Sequence, residues 1–472
     1  MAIKTYGLSF MSRWQSAVNS ALQKETTETT DLSAHHPAMV ASCTACETLE
    51  TALKQDDDSI DIADVVTKGE LLTDCAHMYI ALAAAKFTGN SQRALQLESQ
   101  LRYSVCDPLW AKALLHFDND HITIPYRQYQ SLDDFTLPLS HRVRNSVSRS
   151  EPAPRPDNAG HPQSIPSAVN PTEKEASDHC KIAFVSDWGT GTPLAKNVMR
   201  GIARQKPDIV IHLGDVYYSG TKKEMQDHFL TIVREYLPAE TAVYNLAGNH
   251  DLYAGGAGYY WLIDELGQPA SYFCLRNDHW QILSIGAPPE VGDPKSALSA
   301  IPAIDSKEIQ WHQHKLNTAA GRKTVMLSHY QLFTASGNIG RTEDNRPLAL
   351  NPVLYQAFET HLPDIDLWLW GHEHNLIAFE PYVGLRKGRC IGSGAIPVAL
   401  HWQPYKQLPN LSVPDHPGVA PRINLDCQLG HDGDHYHHAF AVLEIDGPNG
   451  LMSYFQVPGV TGDPEVIYTE SI

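Results

Sequence analysis

The sequence predicts an α/β fold preceded by a mainly helical region, and three features carry that expectation. Short, apolar, β-rich runs occur at Lys181 to Ser186, Asp208 to Leu213, Thr241 to Leu246, Lys323 to Leu327 and Ile365 to Trp370. Such runs are the pattern of strands buried on both faces. Helical candidates, such as Pro193 to Gln205 and Lys222 to Leu237, lie between them, as strand–helix alternation in a layered α/β domain requires. Finally, a polar string sits at or just after each run's end, where α/β folds gather ligands.

Ahead of this region, Met1 to Leu139 reads as mainly helical. Leu71 to Phe87 is rich in alanine and leucine at helical spacing, and Ser91 to Leu101 continues the pattern. Around His121 to Tyr129, alternating isoleucine and threonine suggest a short strand. From Ser140 to Asp178 the composition turns to Ser, Pro, Arg, Asn and Glu, the signature of a flexible linker. The expected organisation is a helical domain over 1–139, a linker over 140–178 and an α/β domain over 179–472. No internal repeat is apparent.

Bulk composition narrows the function. A chain of 472 residues exceeds one ordinary core. Lysine and arginine total 36 against 54 acids, a formal charge of -18, so nucleic acid is not an expected partner. A small anionic substrate is compatible with that surface, because bound cations reverse the local field. Met1 to Gln23 lacks the basic, apolar and small-residue segments of a signal peptide. The longest apolar stretch, Met78 to Phe87, is too short to span a bilayer, so a cytoplasmic location without membrane attachment is expected. The scattered cysteines Cys43, Cys46, Cys75, Cys106, Cys180, Cys274, Cys390 and Cys427 fit reduced thiols better than a disulfide framework.

The strings at the strand ends are Asp187-Trp188-Gly189, Gly214-Asp215-Val216-Tyr217-Tyr218, Gly248-Asn249-His250-Asp251, Ser328-His329 and Gly371-His372-Glu373-His374. Together they offer carboxylates, an amide oxygen, imidazoles and a phenol, enough donors for two metal ions. Singly, several have bland readings. Gly-Asp-x-x-Tyr also suits a turn, and Gly-Asn-His-Asp a hairpin. Two histidines closing the apolar Trp368-Leu369-Trp370 run are harder to explain as structure. In Gly371-His372-Glu373-His374 an extended backbone sends both imidazoles one way, whereas a tight turn splays them.

The ordered set resembles the calcineurin-like metallophosphoesterases and, within them, the purple acid phosphatase branch. The resemblance covers Lys181 to about Leu443 and implies a four-layer αββα sandwich that hydrolyses phosphate esters at a two-metal centre. By match to the family pattern, Asp215 bridges the ions. One would take Asp187, Asp215, Tyr218 and His374; the other would take Asp215, Asn249, His329 and His372. The first motif commonly reads Asp-x-His, but Gly189 stands in the histidine's place. Tyr218, three residues after the bridging aspartate, restores the ligand as in purple acid phosphatases. A phenol of ordinary pKa near 10 binds as phenolate at neutral pH only to a strongly polarising ion. Iron is therefore expected at the Tyr218 site, with divalent zinc, manganese or iron at the other. The implied nucleophile is a metal-bound hydroxide. His250 would bind phosphate and protonate the leaving group, with Asp251 orienting its ring.

The remaining features have structural readings at least as good as functional ones. Cys43 and Cys46, with His35 and His36 upstream, form half a zinc site at most. Asp56 to Asp64 lacks the glycine of a calcium loop. His431, His435, His437 and His438 precede the apolar run Ala439 to Ile445 as a substrate-side loop or a polar turn. Tyr259, Tyr260 and Trp261, after Gly255 to Gly258, would rim the site or pack in the core.

The leading expectation is a phosphomonoesterase acting on a small phosphorylated substrate. Its alternatives are a phosphodiesterase for cyclic nucleotides or other diesters, which Gly189 disfavours, and an inactive scaffold of the same fold. The N-terminal region would recruit a protein partner or self-associate.

Overall fold

In this computed structural model the described residues are 82, 85–86, 89–102, 127–129, 131–139, 163–164, 178–286, 304–336, 339, 348–408, 411 and 420–472. The Cys43–Cys46 pair, the Asp56 to Asp64 segment, most of Leu71 to Phe87 and nearly all of 140–177 lie outside them.

Two sheets form the centre. We number their strands β1 (Thr136–Pro138), β2 (His179–Val185), β3 (Ile209–His212), β4 (Ala242–Asn245), β5 (Phe273–Arg276), β6 (Trp280–Ser284) and β7 (Lys323–Ser328). There follow β8 (Leu367–Trp370), β9 (Leu376–Phe379), β10 (Gly388–Ile391), β11 (Ile423–Asn424), β12 (His438–Asp446), β13 (Asn449–Val457) and β14 (Glu465–Ser471). The first sheet runs β14-β13-β12-β2-β3-β4, and the second runs β11-β9-β10-β8-β7-β6-β5-β1. β2, β3 and β4 are mutually parallel, as are β6, β7, β8 and β10.

Side-chain alternation explains the layering. In β2, Ile182 and Phe184 enter a core shared with Leu327, Leu367 and Leu369 of the second sheet, so the two sheets pack face to face. Their neighbours Ala183 and Val185 face outward onto α2 (Pro193–Arg204) and its surroundings, following α1 (Ser91–Leu101) in the chain. On the far side, Trp368 and Trp370 of β8 join Trp311 and Leu354, carried by helices Ser306–Asn317 and Pro352–Phe358. The result is the expected four-layer αββα sandwich, with helices outside two sheets.

The expected helix over Lys222 to Leu237 is present as Lys222–Glu224, a π turn at Met225–Leu230 and Thr231–Tyr236. A capping box starts it, with the Thr221 hydroxyl on the Glu224 amide and the Glu224 carboxylate on the Thr221 amide.

Residues just before the expected boundary at 139 contact the layers that follow it. β1 pairs in parallel with β5 at the edge of the second sheet. Leu139 is buried between the sheets, and the Tyr129 hydroxyl donates to the Tyr272 carbonyl at 2.7 Å. Arg127 makes a two-pronged contact with Asp264, at 2.5 and 2.9 Å. These residues precede the expected linker in sequence but complete the layers after it.

Cys180, Cys274, Cys390 and Cys427 are free and buried. No helix among the described residues is long and apolar enough to cross a membrane.

Candidate metal centre

Each ligand candidate is set by the strand before it. Asp187 follows β2, Asp215 follows β3, Asn249 follows β4, His329 follows β7 and His372 follows β8. The first three come from one sheet and the last two from the other, so the site sits where both parallel sets end. Asp187, Asp215 and His372 hold left-handed backbone, with φ of 54°, 75° and 64°. Such a conformation costs a non-glycine residue about 1–3 kcal/mol and persists where surrounding structure enforces it. The preceding Gly214, at φ 105°, has no room for a Cβ, which would lie 2.7 Å from the Gly248 nitrogen.

The side chains converge as two groups, Asp187 with Asp215 and His374, and Asp215 with His329 and His372. In the second group the proton positions follow from the partners. His329 Nδ1 donates to the Leu213 carbonyl at 2.9 Å, so its Nε2 presents a lone pair. That lone pair faces Asn249 Oδ1 at 3.0 Å and His372 Nδ1 at 3.2 Å. Asn249 Oδ1 is also 3.0 Å from His372 Nδ1, and Asp215 Oδ1 lies 3.5 Å from His329 Nε2. One proton cannot serve so many acceptors; a cation can. The donor set therefore fits a metal ion.

In the first group the Tyr217 hydroxyl lies 3.1 Å from Asp187 Oδ1, from Asp215 Oδ2 and from His374 Nε2. His374 Nε2 is 3.4 Å from Asp187 Oδ1. The two Asp215 oxygens thus face different groups, as a bridging carboxylate must. His372 and His374 are splayed to opposite groups, and the left-handed His372 makes that turn.

The phenol placed in this group is that of Tyr217, the neighbour of the expected Tyr218. Val216 forms a parallel bridge with Gly189 and its side chain enters the outer core. Alternation after Val216 then sends Tyr217 into the centre. Tyr218 gives its amide to Glu224 at 2.7 Å and its carbonyl to His250 Nδ1 at 2.7 Å. The same bridge accounts for Gly189, where a Cβ would lie 2.8 Å from Val216 Cα. This backbone has no space for the histidine of the commoner motif.

Asp251 is the second difference. Its carboxylate does not orient the His250 ring; the Tyr218 carbonyl does. Asp251 instead accepts the amides of Asp215 and Gly248, each at 2.7 Å, and of Val216 at 3.1 Å. It ties the Asp215 and Asn249 loops together. The backbone direction after Gly248 sets this role, and no residue pattern announces it.

Electrostatics match the donor chemistry. Burial pushes the Asp215 carboxyl well up, and the charges of Asp187 and Asp251 push it further. Burial also opposes ionisation of Asp187, but the His374 imidazole beside it holds it below the usual carboxylate range. Burial lowers His329 and His372, so both are neutral, the form that binds metal. Burial, then Asp187 and Asp215, raise the Tyr217 phenol well above its ordinary value. Only a neighbouring cation reverses that.

Other sequence candidates lie elsewhere. His431–Asp432 and His435–Tyr436 form a small hairpin, and His438 opens β12 with Nδ1 on the Ser393 carbonyl at 3.2 Å. None of these imidazoles joins a ligand group among the described residues. Tyr259 and Tyr260 are buried in the outer core, on helix Ala257–Leu266, with Trp261 packed against them. Glu373, between the two histidines, accepts the Thr334 and Ser336 hydroxyls and anchors the Gly371–His374 loop, a role that its place in the motif does not announce.

Residues 180–376 match the family model of the calcineurin-like phosphoesterases, and the matched stretch includes both ligand groups. Similar solved structures include a dimetal phosphatase from Danio rerio, at 11% identity over 61% of this chain and 98% of that one, TM-score 0.40. GAP50, the anchor in the inner membrane complex of Plasmodium, is 14% identical over 62% and 88%, TM-score 0.39. PhoD is 12% identical over 62% and 69%, TM-score 0.41. No curated protein matches the chain.

Proposed function

We propose that the protein is a dinuclear-metal phosphoric ester hydrolase, a phosphomonoesterase of purple acid phosphatase type. The convergence of His329, His372 and Asn249 lone pairs on one point, with Asp215 shared by the adjoining group, carries this reading. Asp187, Asp215, His374 and the Tyr217 phenol would hold one ion, and iron suits that set because it stabilises a phenolate. Asp215, Asn249, His329 and His372 would hold the other, a divalent zinc, manganese or iron. When bound, the pair supplies Lewis-acid polarisation of the phosphoryl group and lowers the pKa of water.

The chain's own residues do the rest. His250 is wedged between the Tyr217 and Tyr253 rings, with centroids 4.5 and 4.6 Å away. Its Nδ1 proton is committed to the Tyr218 carbonyl, and its Nε2 lies 4.0 Å from Asp215 Oδ2, facing the centre. Burial lowers His250 to about 3, so at neutral pH Nε2 is unprotonated. A phosphate dianion beside it favours the imidazolium, which then donates from Nε2 to phosphate or leaving oxygen. Proton and anionic substrate thus enter together.

The test compares an aryl phosphate monoester with its matched diester on metal-analysed protein. Faster monoester turnover, lost on chelation, is the expected result. Faster diester cleavage would overturn the monoesterase assignment, and metal-free protein of full activity would overturn the whole reading.

A further inference from the structure

Asn249 can meet a cation through its oxygen but not through its amide nitrogen, so something must choose between two ends of nearly equal shape. The structure shows what chooses. Asn249 Nδ2 donates to the Tyr253 hydroxyl at 2.7 Å, which leaves Oδ1 3.0 Å from His329 Nε2 and 3.0 Å from His372 Nδ1. Tyr253 is buried, with 5% of its surface exposed. Its position is fixed locally, because its amide donates to the His250 carbonyl in the short 3₁₀ turn that carries both residues.

The Tyr253 ring adds a second constraint by packing against His250. A hydroxyl four residues after Asn249 thus selects the amide end, while its ring fixes the neighbouring imidazole.

We infer that Tyr253 is the positioning residue for the Asn249–His329–His372 ion site. It acts by holding the Asn249 amide with its oxygen inward. This rests on the two-ion reading above. An orienting partner of a metal ligand typically contributes about 10–100-fold to metal affinity.

The experiment titrates metal-stripped full-length protein with Zn²⁺ by calorimetry, in wild type, Y253F, N249D and N249D/Y253F. Wild type takes up two ions, and Y253F weakens one binding step by about 10–100-fold while leaving the other unchanged. A carboxylate has two equivalent oxygens and needs no selection, so adding Y253F to N249D changes little. A merely structural tyrosine would weaken both steps, or weaken N249D as much as wild type. Tyr253→Met, a flexible apolar filler also lacking the acceptor, gives the same selective loss should Y253F fold poorly. Equal affinity in wild type and Y253F overturns the inference and leaves the hydrolase reading standing. Absence of any ion uptake by wild type overturns both.

Discussion

Two histidine-rich turns in this molecule have similar compositions and opposite chemistry. At Gly371–His374 the imidazoles face other acceptors, with His372 Nδ1 3.0 Å from Asn249 Oδ1 and His374 Nε2 3.4 Å from Asp187 Oδ1. At His431–His438 the imidazoles have separate partners. His438 donates to the Ser393 carbonyl, and His437 lies 3.8 Å from Asp432. The first turn carries left-handed backbone at His372; the second is a two-stranded ladder before an ordinary strand. Histidine content alone therefore does not mark a site. Lone pairs converging with no proton to share do.

Asp215 tests that contrast most severely. Asp215→Asn removes the one carboxylate common to both groups, so on the proposed function both ions should bind poorly and ester hydrolysis should fall by more than about 10³-fold, the scale of losing a buried electrostatic stabiliser. Metal analysis and single-turnover hydrolysis read this directly; retention of two ions would break the comparison.

The tyrosines sharpen it next. On the proposed two-ion reading, iron-loaded wild type is expected to show a phenolate-to-iron absorption band. Tyr217→Phe abolishes the band, whereas Tyr218→Phe keeps it. The opposite pattern would return the ligand to Tyr218.

A third kind of histidine lies between the extremes. His212 is fully buried against Trp188 and Phe229, its Nδ1 2.6 Å from Asn245 Oδ1, and burial lowers it to about 4. Its folded value is below the ordinary 6.5, so on acidification the unfolded chain takes the proton first. The associated stability is complete above pH 6.5 and lost as pH falls toward 4. The loss is about 3 kcal/mol. Denaturant melts of metal-free protein at pH 7 and pH 4 should show His212→Gln removing about that much of the pH dependence. An unchanged dependence would show that His212 is protonated when folded.

The smallest effect belongs to the hairpin. His431→Ala, at an exposed position, shifts stability by less than about 0.5 kcal/mol and leaves metal content as in wild type. A lost ion in that variant would blur the distinction between the turns.

Much of this was legible in the sequence because it is local. Each strand run that precedes a ligand candidate could be read from its apolar residues, and each ends within a few residues of its expected limit. Asp187, Asp215, Asn249, His329, His372 and His374 fall in loops fixed by those ends. What was not legible depends on contacts distant in sequence. The position of the Tyr217 hydroxyl in the first group goes with the Val216–Gly189 bridge, which no spacing rule contains. Asp251 reads as a partner for the adjacent histidine until its loop curls back to the Asp215 and Val216 amides. β1 is three residues long, includes a proline and sits at a sheet edge, so nothing periodic marks it.

That last strand has a practical consequence. The layers around the candidate site are contributed by two stretches of chain, one ending at Leu139 and one starting near Asp178, held by backbone pairing and side-chain burial as well as by covalent continuity. Trimming the chain back to residue 179 would expose the edge of β5 and empty the places of Tyr129 and Leu139.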